Sequence, residues 1–234
     1  MRHHPTARTA APLVALIAAL ALAAAPARAA SNTDLFWQAP DLAARGITAI
    51  ALLPLATYDG NATARVTAQG ALEQAFHAKG YRWVTWTTTN DAIVSAGGDS
   101  LAKAVSHALL QQGRLDSLQA PLVSRVAGAR AVLCGRIDRY ERVDVAPLDS
   151  GTPSVSVQLH LALVDSTGTL LWSASGSETA EGQYHEAVQT SHGLESSASA
   201  APDPTLPSER DLLLRLLTRW AARFPARAAP AAAN

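Results

Sequence analysis

The stretch from Ala131 to Trp172 constrains the fold most, because its apolar residues recur every second position. Val155, Val157, Leu159, Leu161 and Leu163 alternate with Ser156, Gln158, His160 and Ala162. That is the period of a strand with one buried face, here the odd-numbered one. Asp165, Ser166, Thr167 and Gly168 follow, with glycine where a tight turn needs a positive φ, and Thr169 to Ser175 resumes the extended pattern. A hairpin is therefore expected. Upstream, Leu133, Gly135 and Ile137 fall on one side of a third strand, Ala131 to Val143, while Arg136, Asp138, Tyr140 and Arg142 fall mostly on the other.

Residues 1–30 read as a secretory signal. Arg2 and Arg8 form the positive region, Leu13 to Ala25 the apolar region, and Ala27, Arg28 and Ala29 an A-x-A cleavage site, which places cleavage near Ala29 or Ala30. The apolar run is shorter than the roughly 20 residues that a membrane span needs. The expectation is an exported, periplasmic protein, with outer-membrane association as the open alternative. Cleavage would remove three of the 19 basic residues and none of the 19 acidic ones, leaving 16 against 19, a net charge of −3. A weakly acidic chain argues against nucleic acid as partner. The single cysteine, Cys134, sits between Leu133 and Gly135 in a strand. It reads as a small buried side chain, with a reactive or intermolecular thiol as the other possibility.

Around the three strands the chain divides into an arm at 31–45, an α/β domain at 46–182, a polar excursion at 183–207, a helix at 208–225 and a tail at 226–234. Ile47 to Leu55 is a nearly continuous apolar run, as a strand buried on both faces would show. Thr63 to Lys79 has helical spacing and stops at Gly80. Tyr81 to Thr87 reads as a strand, Thr88 to Ser100 as a loop around Gly97 and Gly98, and Ser100 to Gln112 and Leu115 to Val126 as helices, the last stopped by Gly128. In the closing helix, Leu213, Leu216, Leu217, Trp220 and Phe224 form a core stripe, while Arg215, Arg219, Arg223 and Arg227 recur every fourth residue on another face. Those arginines are either a solvated face or a basic strip for a partner or for anionic lipid headgroups. Peripheral membrane contact through this helix follows from the second alternative.

No motif for known chemistry is present. The sequence has no G-x-S-x-G elbow and no H-E-x-x-H helix. His185, His192, Glu186 and Glu195 are the one loose group with metal-ligand chemistry, in the least periodic segment. Neither a cofactor nor a metal is therefore expected, and no catalytic residue is assigned.

The run IALLPL at 50–55, the helix ending in Lys79, Gly80 and Tyr81, the segment Gly128 to Gly135 and the segment Leu163 to Trp172 together resemble a known group. They are similar to the curli-secretion-channel (CsgG) and penicillin-binding-protein-activator (LpoB) superfamily and the TolB N-terminal domain, over roughly residues 46–180. The resemblance implies an α/β sandwich of two or three layers, a mixed sheet of about five strands with flanking helices, and an envelope role in assembly, secretion or activation without an active site. Many such proteins carry a lipobox cysteine, and none lies near the cleavage site here.

Two functions follow. One is a non-enzymatic periplasmic adaptor that binds an envelope protein through Ser156, Gln158 and His160 on the sheet, the Arg136 to Arg142 strand edge, or the arginine strip of Arg215, Arg219 and Arg223. The other is an enzyme or small-ligand protein whose site is assembled from separate loops near His160, with Asp138 and Tyr140 as its other members. A cleft converging on His160 favours the second reading, and a flat polar face the first. Oligomeric state is not legible.

Overall fold

A computed structural model describes residues 34–146, 149–186, 203 and 205–227. The expected signal segment, His192, Glu195 and most of the tail lie outside them. Seven strands form one mixed sheet: β1 (Leu35–Gln38), β2 (Ala49–Leu52), β3 (Ala56–Thr57), β4 (Arg82–Val84), β5 (Ala131–Val143), β6 (Ser154–Asp165) and β7 (Leu170–Glu181). Their order is β1-β7-β6-β5-β2-β4, with β3 also beside β5. The expected hairpin is the β6–β7 pair, and β5, β6 and β7 make an antiparallel meander onto which β2, β3 and β4 add in parallel. The sheet thus has more strands than the five expected. The 31–45 arm supplies β1, antiparallel to β7, and Pro54 splits the apolar run into β2 and β3.

Among the described residues four α-helices cover the sheet: α1 (Ala62–Phe76), α2 (Trp86–Gln112), α3 (Gln119–Ala127) and α4 (Glu209–Arg223). Helices α1 and α4 lie on the face of Leu133, Ile137, Val157, Leu159 and Leu161, and α2 and α3 on the face of Val132, Cys134, Ala162 and Val164. The architecture is therefore three-layered. Local sequence explains most helix ends. Asn61 caps α1, its side-chain oxygen accepting from the Ala64 amide at 2.8 Å, and Ser208 with Asp211 forms a capping box on α4.

Two expectations need correction. The segment 88–100 is not a loop: Thr85 caps α2, which runs through it with only a kink at Gly98 (φ 61°). The run Tyr81 to Thr87 is rich in β-formers, but a threonine in extended backbone followed by Trp86 and three more polar residues starts a helix as readily as it continues a strand. The second correction concerns β5. A β-bulge between Ile137 and Arg139 shifts the register against β6. Two residues then oppose one, and every side chain beyond changes face. Tyr140 consequently packs on the α1/α4 core instead of sharing a face with Arg136.

The hairpin tip shows how the layers lock. Asp165 accepts from the Thr167 and Thr169 amides at 2.8 and 3.0 Å and from the Thr167 hydroxyl at 2.6 Å. Burial pushes its pKa up, but these bonds and Arg45 outweigh it, so the carboxyl is held below its usual range. Gly168 (φ 86°) packs against the backbone of Asp116 and Ser117, where a Cβ would stand 2.6 Å from the Asp116 carbonyl carbon.

Candidate functional site

The two faces of the sheet are not covered alike. On the even-numbered face of β6, Ala162 and Val164 are buried under α2 and α3, His160 is half-buried, and Gln158 is exposed. Register extends that uncovered part sideways. Ser175 lies opposite His160, Ser177 opposite Gln158 and Thr179 opposite Ser156. On the next strand Leu35 pairs with Ser175 and Trp37 with Ser173, and both apolar side chains are open to solvent, 65 and 46% exposed. On the other side Arg139 pairs with Gln158 and Glu141 with Ser156, both exposed. The result is a broad polar sheet surface with an apolar rim at β1. Sequence dictates the opening, since beyond Leu170, which packs under α2 and α3, the uncovered part of β7 carries Ser173, Ser175, Ser177 and Thr179 on this side, too small and polar to draw a helix down.

His160 marks the boundary between covered and open sheet. Gly113 (φ 70°), just beyond the end of α2, lies directly on the imidazole, and a Cβ there would overlap the ring. Arg136, opposite His160 on β5, donates from Nη1 to the Leu110 carbonyl at 3.1 Å and from Nε to Asp138 at 2.6 Å. The Tyr58 hydroxyl donates to the same carbonyl at 2.9 Å, with the Arg136 guanidinium 5.8 Å from its ring centroid. A cation and a hydroxyl thus share the Leu110 carbonyl in the last turn of α2. Burial, then the positive charge of Arg136, holds the His160 pKa below its ordinary 6.5, with Asp138 acting in the opposite sense. The lowered pKa favours the neutral imidazole, which stands at the edge of the open face.

The residues nominated for a loop-assembled enzyme are not brought together. Asp138 stands close to His160 through Arg136, but the bulge sends Tyr140 to the opposite face. A cavity of about 150 Å³ touches Asp138 and Tyr140 without His160, and one of about 470 Å³ is lined by none of the three. Among the described residues no group of three or more His, Cys, Asp or Glu is arranged to hold a metal ion. Cys134 is buried, donates to the Ala162 carbonyl at 3.4 Å, and has its thiol pKa pushed up to about 12 by burial. A thiol with that pKa has negligible thiolate at neutral pH, so it is a packing group.

The arginine strip divides on inspection. Arg219 is committed internally: Nε meets Asp34 at 2.5 Å and Nη1 meets Glu178 at 2.8 Å, which straps the residue preceding β1 to α4 and β7. These contacts, the Asp34 hydrogen bond first, raise its pKa further. Gly176 makes the strap possible, since a Cβ there would collide with the Asp34 carboxylate. Arg223 lies over Phe36, 4.5 Å from the ring centroid. Arg215 is exposed. The strip is thus largely a fastening for the N-terminal strand. Periodicity places all three on one helix face but holds no sign of Asp34 and Glu178, which are distant in sequence. The Leu35 and Trp37 rim is hidden for a similar reason, because only strand register joins it to Gln158 and His160.

No protein-family model matches the sequence, and no curated protein matches it. Among solved structures the chain is similar to PelC from Paraburkholderia phytofirmans, a dodecamer, in two crystal forms. One aligns at 18% identity and a TM-score of 0.44 over 80% of this chain and 94% of that one; the other aligns at 20% and 0.40 over 86% and 100%. It is also similar to lipoprotein GNA1162 from Neisseria meningitidis, at 18% identity and a TM-score of 0.42 over 75 and 96% of the two chains. Likeness at this level assigns neither a family nor a function.

Proposed function

We propose that this chain is an exported, non-enzymatic envelope protein that binds a second envelope protein on the open half of its sheet. The observation that carries the reading is the polar surface of Gln158, Ser175 and Ser177, bordered by exposed Leu35 and Trp37. An aromatic and a leucine standing free beside a hydrogen-bonding surface have the composition of an interface, an apolar anchor with a polar surround. The partner's complementary surface offers an apolar pocket to Trp37 and donors and acceptors to the serines and Gln158. Membrane contact through α4 has less support, because Arg219 is held by two carboxylates and Arg223 by an aromatic ring.

The test is photo-crosslinking in the intact envelope from Gln158 and Ser177, with Lys103 on α2 as the control position. One discrete adduct from both sheet positions, absent from the control and lost on Trp37→Asp, is the expected outcome. Adducts that are the same from all three positions, or that survive Trp37→Asp unchanged, would contradict the reading. An adduct with the mass of two copies of this chain would replace the second envelope protein by self-association.

A further inference from the structure

At the opposite edge of the sheet, a cavity of about 470 Å³ opens between α1 and β4. Its walls are Leu72 and Phe76 from α1, Tyr81 and Trp83 from the β4 segment, and the carboxylate-bearing Glu73. Phe76, Tyr81 and Trp83 form a connected set of edge-to-face rings, with Tyr81 to Trp83 at 5.9 Å and Phe76 to Trp83 at 6.4 Å between centroids. Two polar atoms of this wall are shielded from solvent without a hydrogen-bond partner: Glu73 Oε1 and Trp83 Nε1. Buried polar atoms normally find partners, and an unpaired carboxylate oxygen costs most of all. A cavity of this size holds a small organic molecule.

We propose that this cavity is a binding site for a small organic cation, an amine or quaternary ammonium with an apolar body. The aromatic rings attract the cation through their quadrupoles, Glu73 supplies the opposing charge, and Leu72 and Phe76 take the apolar part. Arg227 is outside the lining but close to it, its amide donating to the Lys79 carbonyl at 3.0 Å and its exposed side chain near enough to act on Tyr81. The site is independent of the open sheet face, so failure of either proposal leaves the other standing.

The experiment follows the Trp83 indole N–H of the purified chain by NMR, with Trp83→Phe identifying the signal, during titration with choline and with its neutral isostere 3,3-dimethylbutan-1-ol. Choline is expected to give a saturable shift with a Kd on the order of a millimolar, and the neutral alcohol to bind about tenfold more weakly or worse. Glu73→Gln is expected to remove most of the preference for choline over the alcohol, the aromatic wall keeping the remainder. Equal binding of the two probes, no saturable shift with choline, or full choline affinity in folded Glu73→Gln would overturn the proposal. Should Glu73→Gln fail to fold, the two probes on the unaltered chain still decide.

Discussion

The two sides of the sheet are built from the same strands and end in opposite states. Toward α1 and α4, β6 presents Val155, Val157, Leu159, Leu161 and Leu163, all buried, and the layer above adds Leu213, Leu216, Trp220 and Phe224. Phe224 stands 4.9 Å from Trp172 and 5.1 Å from Phe76, centroid to centroid, which closes that side with an aromatic cluster. Toward α2 and α3 the same strand turns from Val164 and Ala162 through His160 to Gln158, and cover stops where the side chains become polar. The closed side maintains the fold. The open side is surface that the fold does not need to bury, which is why it is the better candidate for function.

That contrast can be broken first on the closed side. Trp220→Ala is expected to cost about 3–5 kcal/mol, since the indole is fully buried among leucines and edge-on to Phe36. Denaturant unfolding measures it. At the boundary, Gly113→Ala is expected to cost roughly 2 kcal/mol, from the positive φ and from overlap with His160. Combining it with His160→Ala should recover part of that loss, whereas strict additivity would show that the two residues do not press on each other.

The strap comes next. Arg219→Met is expected to cost about 1–2 kcal/mol, less than a fully buried pair because the Arg219 side chain is 39% exposed. Its more specific effect is on β1, whose amides should exchange faster with deuterium while those of β5 and β6 do not change. Smaller still is the pH effect of His160. Its folded pKa lies below 6.5, so the unfolded chain binds the proton more readily, and the contribution is present above pH 6.5 and lost as pH falls below it. His160→Gln should therefore flatten the loss of stability between about pH 7 and pH 5, by a fraction of a kcal/mol after solvent screening. On the open face itself, Ser175→Ala and Gln158→Ala should stay within about 0.5 kcal/mol of the unaltered protein.

Much of this arrangement is written in local pattern. The alternation in 155–163, the turn at Gly168 and the helix from Ser208 are each specified by residues within a few positions of one another, and each stands where the sequence places it. What local pattern does not hold is non-local. The bulge at Asp138 depends on how β5 meets β6, and it exchanges the faces of Tyr140 and Arg142 without any mark in the β5 sequence. The length of α2 is hidden because two adjacent glycines are a stop signal in most contexts, whereas here one of them only kinks a helix capped at Thr85. For the candidate face, Gln158 and His160 are visible as the polar side of a strand. Leu35, Trp37, Ser175 and Ser177 join them only once β1 and β7 are in register.

The most direct test of the central claim places a bulky residue on the open side of that contrast. Ser177→Trp should leave the unfolding midpoint within about two degrees while abolishing the crosslinked adduct formed from Gln158. An unchanged adduct in a folded Ser177→Trp protein, or a collapse of stability as large as that of Trp220→Ala, would show that this half of the sheet is not a free docking surface.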